Sequence, residues 1–300
     1  MTFVVEEFVR ASRASFGTPF VITTVRNPAA EEAERARRLS AATGQVFYER
    51  AGYGLPKLFE LAKRSRDPQA PEPTGIYVVG RKEDSFWHPS GESFVYHPGM
   101  AVHRIQAIAD GRGDPMVAAM ELQPGDTVLD CTAGLCSDAL VASYVVGTTG
   151  KVRALESSLP VGLIVGQGLA VYTAERRDYI LPAMRRIELR LVRASEYLAE
   201  QPADSWDIVY FDPMFHNPVR ESTGIAALRL VADPAPLQPA TLRLAARAAR
   251  RAVVVKDRQD GPWFTHSRFT RTVAGRGRIG YAVLAGDELK RVADEGWPET

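Results

Sequence analysis

The feature that most constrains the fold is an apolar segment that runs through a loop of small residues into a helix start. It covers residues 128–138 and reads Val-Leu-Asp-Cys-Thr-Ala-Gly-Leu-Cys-Ser-Asp. A strand that leads through such a loop into a helix is typical of an open parallel sheet, which receives nucleotide-like ligands at this point. A full dinucleotide glycine fingerprint is absent, which argues against a nicotinamide enzyme.

Strand and helix signals alternate regularly around this segment. Strands are predicted at seven places, near residues 126–130, 151–155, 187–192, 206–211, 251–256, 268–274 and 279–284. Helical stretches between the first five predict an α/β fold with a doubly wound, Rossmann-like and mostly parallel sheet, closed by a hairpin of the last two strands. One sequence does not give the strand order.

A smaller α/β unit is predicted to precede this domain. Its signals are strands near 20–25, 45–48 and 75–79 and helices near 29–43 and 55–63. We therefore expect four zones: an N-terminal extension, a connector, the main domain and a C-terminal tail, at residues 1–90, 91–115, 116–285 and 286–300.

Composition excludes several classes of protein. The 300 residues are 45% hydrophobic, but no stretch approaches the roughly 20 apolar residues of a membrane span, and Glu6 and Glu7 do not suit a signal peptide. We expect a cytoplasmic protein without a membrane partner. Cys131 and Cys136 lie five positions apart without a nearby histidine, so neither a disulfide framework nor a metal site is predicted. The net charge of +1 gives no global argument for a nucleic-acid partner.

A second buried strand ends in the most specific signal for chemistry, Asp212-Pro213-Met214-Phe215. An exocyclic amine on a ring is a poor nucleophile because its lone pair is delocalised. Acceptors at Asp212 and at the Pro213 carbonyl would hold its hydrogens, and Phe215 would stack on the base. The alternative is a strand-ending turn with two core hydrophobic residues. The motif favours methyl transfer to a flat, amine-bearing substrate, with S-adenosylmethionine as the donor.

The loop after the strand at 126–130 is the predicted cofactor loop. Gly134 lets the backbone approach the ligand closely, and the free amides of the next helix favour a carboxylate such as that of the methionine moiety. Asp138 is placed to accept from the ligand's ammonium. We assign Asp130 and Thr132 of the same loop to the cofactor site. The alternative is an ordinary strand-to-helix turn with a helix-starting serine, Ser137.

Acidic residues at the ends of the next two strands complete the predicted cofactor site. Glu156, followed by Ser157, stands where one carboxylate can accept from both ribose hydroxyls. Ser195 and Glu196 are placed to reach the adenine. The alternatives are a solvated glutamate at a strand end and a plain helix N-cap at Ser195.

The chain resembles the small-subunit ribosomal RNA guanine-N2 methyltransferases and their less characterised relatives, which have a class I methyltransferase domain. The resemblance covers most of residues 94–284 and is carried by 94–104, 130–139, 207–215 and 251–256. It implies a base-methylating site at 212–215. It also implies cofactor contacts from seven residues: Ser137, Asp138, Glu156, Ser157, Ser195, Glu196 and Asp212.

Three further polar residues are predicted to contact the substrate, His103, Arg104 and Lys256. A histidine and an arginine side by side in the connector can hold a phosphate or a base edge; loop anchoring and helix capping are the alternative. The chain departs from the ribosomal RNA enzymes at Cys136, where they have a smaller residue, and at His216, where they have proline.

Together these features predict a methyltransferase that uses S-adenosylmethionine to methylate the exocyclic N2 amine of a guanine in structured or ribosomal RNA. Two alternatives stay open at this point. One is methylation of a protein or small-molecule amine or amide. The other is a catalytically silent RNA-binding module, against which the set of Asp138, Glu156 and Asp212 argues.

Overall fold

The computed structural model describes residues 5–10, 19–173, 178–213, 228–275 and 277–297. The helices named below are α1 (Val5–Arg10), α2 (Ala30–Thr43), α3 (Leu55–Ser65), α4 (Ala101–Ala109), α5 (Pro115–Met120), α6 (Ser137–Val146), α7 (Leu159–Val171), α8 (Leu181–Arg186), α9 (Ala194–Ala199), α10 (Pro239–Ala248) and α11 (Gly286–Glu295).

The strands are short and fall into two sheets. In chain order they are β1 (Val21–Thr24), β2 (Val46–Phe47), β3 (Ile76–Val79), β4 (Ser85–Trp87), β5 (Ser93–Val95), β6 (Thr127–Asp130), β7 (Lys151–Glu156), β8 (Glu188–Leu191), β9 (Trp206–Phe211), β10 (Ala249–Arg258), β11 (Arg271–Ala274) and β12 (Ile279–Ala285).

The chain divides into two compact units. The described residues up to 97, together with 157–173 and 228–233, belong to the first unit, and the other described residues belong to the second. Helix α7 therefore packs with the first unit, although it lies between β7 and β8 in the sequence. Its residues 159–169 are all buried, as expected of a helix that is apolar all round.

The first unit has a sheet of order β2-β1-β3-β4-β5. Its first three strands are parallel, whereas β4 and β5 are antiparallel to their neighbours. The strand β1 is buried at all four positions, Thr23 and Thr24 included, as expected of a strand with parallel neighbours on both sides. Leu58, Phe59 and Ala62 of α3 form a core with Val21, Ile76 and Val78 of the sheet.

The second unit has a seven-stranded sheet of order β11-β12-β10-β9-β6-β7-β8. The run from β10 to β8 is parallel, and β12 is antiparallel to both β10 and β11. The seven strands lie where the sequence predicts them, so the predicted α/β fold with a mostly parallel sheet and a smaller N-terminal unit is confirmed.

The second unit extends beyond the predicted main domain, 116–285, at both ends. Helix α4 lies in the predicted connector, 91–115, and its Val102 and Ile105 are buried. Helix α11 lies in the predicted tail, 286–300, and its Leu289 and Val292 belong to the core of the unit. Apolar residues three positions apart on short helices give this packing. The division of the chain into the four zones stays a prediction.

The strand order positions the ligand edge of the second sheet. Because β6 lies between β7 and β9, the crossovers on either side of it leave in opposite directions, and a crevice opens at the carboxyl ends of these strands. The residues that end these strands are Asp130, Glu156 and Phe211, the last of which precedes Asp212. Within the described part of the chain, no helix is long and apolar enough to cross a membrane.

Candidate active site

The loop after β6 is tied to the end of β9. Asp130 is buried, and its carboxylate accepts the backbone N–H of Thr132 at 3.0 Å. The Thr132 hydroxyl oxygen in turn accepts the backbone N–H of Asp212 at 2.6 Å. Burial raises the pKa of Asp130 to about 8, with Asp138 and Asp212 adding to the effect. The two strand ends that the sequence predicted to form the site therefore share one hydrogen-bonded loop.

At Gly134 the backbone of this loop has free space beside it. Its φ of +47° lies in the left-handed region that glycine adopts without strain, and a Cβ there would meet no heavy atom within 4 Å. Its N–H donates to the buried carboxylate of Glu156 at 3.0 Å, so the ends of β6 and β7 are joined. A backbone open to approach beside a buried strand-end carboxylate fits the ribose side of S-adenosylmethionine.

Helix α6 begins directly after this loop. Cys136 precedes it in the left-handed conformation, with φ +58°, and is completely buried. Burial raises the pKa of the Cys136 thiol well above its usual range, so the thiol stays neutral. The Ser137 hydroxyl donates to the Pro98 carbonyl at 3.4 Å, so this serine anchors the segment before α4. Asp138 is in the first turn, where the helix dipole favours a carboxylate.

Asp138 is the centre of a buried group of charges. Its carboxylate accepts the Tyr210 hydroxyl at 2.8 Å, the Lys256 ammonium at 3.1 Å and one Nη of Arg104. Burial alone would raise the pKa of Asp138, but the two cations more than offset it and hold the pKa well below its usual range. Asp138 is therefore anionic across the physiological pH range.

Lys256 lies between two carboxylates. Its Nζ is 2.7 Å from Asp212 and 3.1 Å from Asp138. Burial would lower the pKa of Lys256, yet the two carboxylates raise it well above its usual range. For Asp212, burial raises the pKa, Lys256 opposes the rise and Asp138 adds to it; the net direction is upward. One ammonium thus fixes the position of the Asp212 carboxylate.

Arg104 connects α4 to this group. Its Nε and one Nη donate to the two carboxylate oxygens of Asp114 at 2.8 and 2.9 Å, and the other Nη donates to Asp138. Asp114 also caps α5, because it accepts the N–H groups of Met116 and Val117. All three guanidinium nitrogens of Arg104 therefore donate to protein groups, and the predicted contact with a substrate stays a prediction.

Three residues next to the site were missed in the sequence. Tyr210 donates to Asp138, Tyr281 pairs with Lys256 across β12 and β10, and Asp114 holds Arg104. Burial and the neighbouring Asp138 raise the pKa of Tyr281 to about 12. The Asp-Pro pair at 114–115 is a helix-start signal that could have identified Asp114. The two tyrosines carry no such signal within their apolar strands.

The other predicted site residues are not part of this group. Ser157 follows Glu156 and is half-buried, whereas His103, Ser195 and Glu196 are exposed. Helix α9 begins at Ala194 with Arg193 at the N-cap, so Ser195 lies inside the first turn and is not the cap. Pro213 is half-buried at the end of the described segment. The predicted catalytic residues Met214 and Phe215, with His216, lie outside the described residues.

The sheet order and the loop after β6 define a class I methyltransferase. Residues 90–278 match the family described as "Putative SAM-dependent methyltransferase". This match covers more than half of the chain, so the chain belongs to that family, and S-adenosylmethionine is its cofactor.

Several named proteins are similar to this chain in sequence. The protein YpiP of Bacillus subtilis is 35% identical over 249 residues, which cover 83% of this chain and 93% of YpiP. Ribosomal RNA small subunit methyltransferase J of Laribacter hongkongensis is 34% identical over 39% of this chain and 40% of that enzyme. The corresponding enzyme of Pseudomonas fluorescens is 32% identical over 55% and 63%. The chain thus spans about half the length of these two enzymes.

A solved structure agrees with the fold. The SAM-dependent methyltransferase NGO1261 of Neisseria gonorrhoeae superposes with a TM-score of 0.57 over 88% of this chain and 95% of its own. Because the sequence identity is only 19%, this similarity shows a shared fold and nothing further. Within the described residues, no cluster of histidine, cysteine or acidic side chains could hold a metal ion.

The raised pKa of Asp130 predicts a pH-dependent stability. The pKa is about 8 in the folded protein against 3.8 for the free side chain. Between these values the unfolded chain is ionised and the folded one keeps its proton, so stability falls as the pH rises, by up to about 1.4 kcal/mol per pH unit. Asp130→Asn keeps the acceptor for Thr132 and removes the titration. Urea unfolding from pH 5 to 8 should show the wild type losing stability relative to this variant; a constant difference would contradict the prediction.

Lys256 is predicted to stabilise the second unit by separating two carboxylates. Lys256→Met leaves Asp138 and Asp212 facing each other without their shared cation, and should lower the free energy of unfolding by about 3 to 5 kcal/mol. Adding Asp212→Asn should recover part of this loss. Lys290→Met, on the exposed face of α11, is the control and should cost less than about 0.5 kcal/mol. Equal effects in the two lysine variants would show that the shared ammonium is not stabilising.

Proposed function

We propose that this methyltransferase acts on the exocyclic N2 amine of a guanine in structured RNA, with ribosomal RNA as the leading substrate. The observation that carries the proposal is the placement of Asp212-Pro213. This pair follows β9 directly, and it is joined to the cofactor loop through Thr132 and to β10 through Lys256. Acceptors for an amine therefore stand beside the loop assigned to the methyl donor.

The residues at this edge suit an amine nucleophile. Bound S-adenosylmethionine supplies an electrophilic methyl group on a sulfonium. The Asp212 carboxylate and the Pro213 carbonyl accept the two amine hydrogens, which favours a pyramidal nitrogen with its lone pair free. Lys256 holds Asp212 in one position, so the acceptor does not have to reorganise as charge develops on the amine. Phe215 is proposed to stack on the base.

The cofactor contacts are proposed around the crevice at β6, β7 and β8. Glu156 receives the ribose hydroxyls, the first turn of α6 with Ser137 receives the carboxylate, and Asp138 favours the positive charges of the cofactor. Asp130, Thr132 and Gly134 shape the loop between them. Ser157, Ser195 and Glu196 are proposed for the ribose and adenine. His103 and Lys256 stay proposed for the substrate, although the observed contacts of Lys256 are with Asp138 and Asp212.

RNA as the substrate is supported by the names of relatives. Two proteins named ribosomal RNA small subunit methyltransferase J share 32 to 34% identity with parts of this chain. Since those matches span about half of the enzymes, their activity comes to this chain as a proposal. An acceptor pair for an amine agrees with a guanine N2 target, because that amine carries two hydrogens.

The test is nucleoside mass spectrometry of ribosomal RNA from cells with and without the gene. The proposal expects one N2-methylguanine position to be lost in the deletion and restored by the wild-type gene, but not by the Asp212→Asn gene. An unchanged RNA profile, with methylation found instead on a protein or small-molecule amine, would transfer the same chemistry to another substrate class.

Glu156 is predicted to contribute to cofactor affinity. In Glu156→Gln the amide oxygen can still accept the Gly134 N–H, but the charge that strengthens the ribose hydrogen bonds is lost. Affinity for S-adenosylmethionine should fall by about 1 to 3 kcal/mol, measured by calorimetry. Glu295→Gln, an exposed change of the same kind in α11, serves as the control. Wild-type affinity in Glu156→Gln would remove Glu156 from the cofactor site.

Asp212 is predicted to act on methyl transfer more than on cofactor binding. Asp212→Asn replaces one acceptor by a donor, so the target amine loses a positioned partner and single-turnover methylation should slow by about 10² to 10³. Affinity for the cofactor should change by less than about ten-fold, because the positioned contact that is lost is with the amine and not with the cofactor. Asp287→Asn, exposed in α11, is the control. A near wild-type rate in Asp212→Asn at saturating cofactor would show that the reacting amine lies elsewhere.

A further inference from the structure

The first unit has a ligand edge of its own. The chain passes from β1 to β2 on one side and then to β3 on the other, so the sheet order β2-β1-β3 reverses direction at β1. In an open α/β sheet, a crevice forms outside the carboxyl ends of the strands at such a point. The segments that leave these three strand ends are therefore brought to one edge.

Each of these segments carries a cation. Arg26 follows β1, Arg50 follows β2, and Arg81 and Lys82 follow β3. Arg26, Arg81 and Lys82 are exposed, and Arg50 is half-buried. The topology thus gathers four positive side chains at one edge, although they are spread over 57 positions of the sequence.

The cations at this edge are largely without carboxylate partners. The Arg50 guanidinium donates to the carbonyls of Tyr53 at 2.7 Å and Thr24 at 3.2 Å, which are neutral groups. Burial lowers the pKa of Arg50, and repulsion from Arg26 lowers it further, so these two cations are close enough to interact. Among the described residues, no carboxylate lies within ion-pair distance of Arg26, Arg50 or Lys82.

Arg81 is the partial exception. Its Nε lies 3.7 Å from a carboxylate oxygen of Glu32, and one Nη donates weakly to the Asn27 carbonyl at 3.4 Å. That contact joins the segments that follow β1 and β3. Glu32 also accepts the Ala29 N–H and keeps its charge, so it offsets part of the charge of Arg81 and leaves the other three cations.

We propose that this edge of the first unit binds phosphate groups of the RNA strand that carries the target base. The inference rests on the proposed RNA substrate and adds the surface that holds it. Arginine and lysine side chains bind phosphate through charge and, for arginine, through paired hydrogen bonds, and such contacts supply most of the sequence-independent affinity for nucleic acid.

Spaced backbone phosphates fit this edge better than the phosphate tail of a free nucleotide. A nucleotide pocket at a strand-to-helix turn uses glycines and the free N–H groups of the helix start. Here the turn reads Val25-Arg26-Asn27-Pro28, the proline has no N–H, and the Ala29 N–H is taken by Glu32 at 2.5 Å. What this edge offers a ligand is four cations, three of them exposed, against two exposed carboxylates in the same segments, Glu49 and Glu83.

The experiment is fluorescence anisotropy with a labelled RNA hairpin and the full chain, without cofactor, over a range of salt concentrations. Arg26→Gln/Lys82→Gln removes two cations that form no hydrogen bond or ion pair with side chains or backbone of the described residues. Arg64→Gln/Lys290→Gln removes one exposed arginine and one exposed lysine elsewhere and is the matched control. Cofactor affinity and thermal unfolding of both variants should equal those of the wild type.

The site variant, Arg26→Gln/Lys82→Gln, should bind the hairpin roughly ten-fold more weakly at 0.15 M salt. The slope of log K against log salt should become less steep by about 0.7 to 0.9 for each lost phosphate contact. The control should stay within about two-fold of the wild type. Equal losses in both variants, or no loss in the site variant, would overturn the proposal. Displacement of the hairpin by GMP as effective as displacement by unlabelled hairpin would replace it with a mononucleotide pocket.

This binding measurement is independent of methyl transfer. If the wild type binds the hairpin with the expected dependence but methylates no RNA, the proposed function fails while the phosphate-binding edge stands. If ribosomal RNA is methylated and the site variant binds as the wild type does, the proposed function stands and the edge is not its RNA surface.

Discussion

The interaction on which the second unit depends is the ammonium of Lys256 shared by Asp138 and Asp212. It joins the helix after β6, the end of β9 and the C-terminal part of β10, which are the elements that shape the site. Removing these charges from water is costly, so the three charged groups together add little net stability over three apolar side chains, although loss of the lysine alone leaves two carboxylates without their cation. Its effect is geometric: each carboxylate has one position, set by a cation that the sheet itself holds.

Among the described residues, the charges around this lysine do not balance. Arg104 and Lys256 face three carboxylates, Asp114, Asp138 and Asp212, which leaves one negative charge, while Asp130 with its pKa of about 8 is mostly neutral at pH 7. S-adenosylmethionine carries a sulfonium, an ammonium and a carboxylate, so it brings a net positive charge. At the cofactor position proposed above, this residual negative charge favours S-adenosylmethionine over its neutral demethylated product.

Sequence patterns predicted the sheets well and the charge network poorly. The parallel strands β6, β9 and β10 contain apolar runs, because burial on both faces of a parallel sheet needs unbroken apolar stretches, whereas β8 and β11 alternate in burial. The strand ends Asp130, Glu156 and Asp212 could be located for the same reason. By contrast, the contact of Arg104 with Asp138 spans 34 positions, and no local pattern encodes it. Arg104 therefore looked like a free cation, and Tyr210 and Tyr281 looked like ordinary strand residues.

The two units differ in how their cations are paired, and the net charge of the chain does not show this difference. Each unit presents the carboxyl ends of parallel strands at an edge. Arg104 and Lys256 in the second unit are held by carboxylates, whereas no carboxylate of the described residues pairs with Arg26, Arg50 or Lys82 in the first. A net charge of +1 averages over both situations. Cations paired with carboxylates hold the geometry needed for chemistry, and cations without a carboxylate partner are available to phosphate. A near-neutral composition is therefore compatible with an RNA substrate when the unpaired cations are gathered at one edge by the topology of a small sheet.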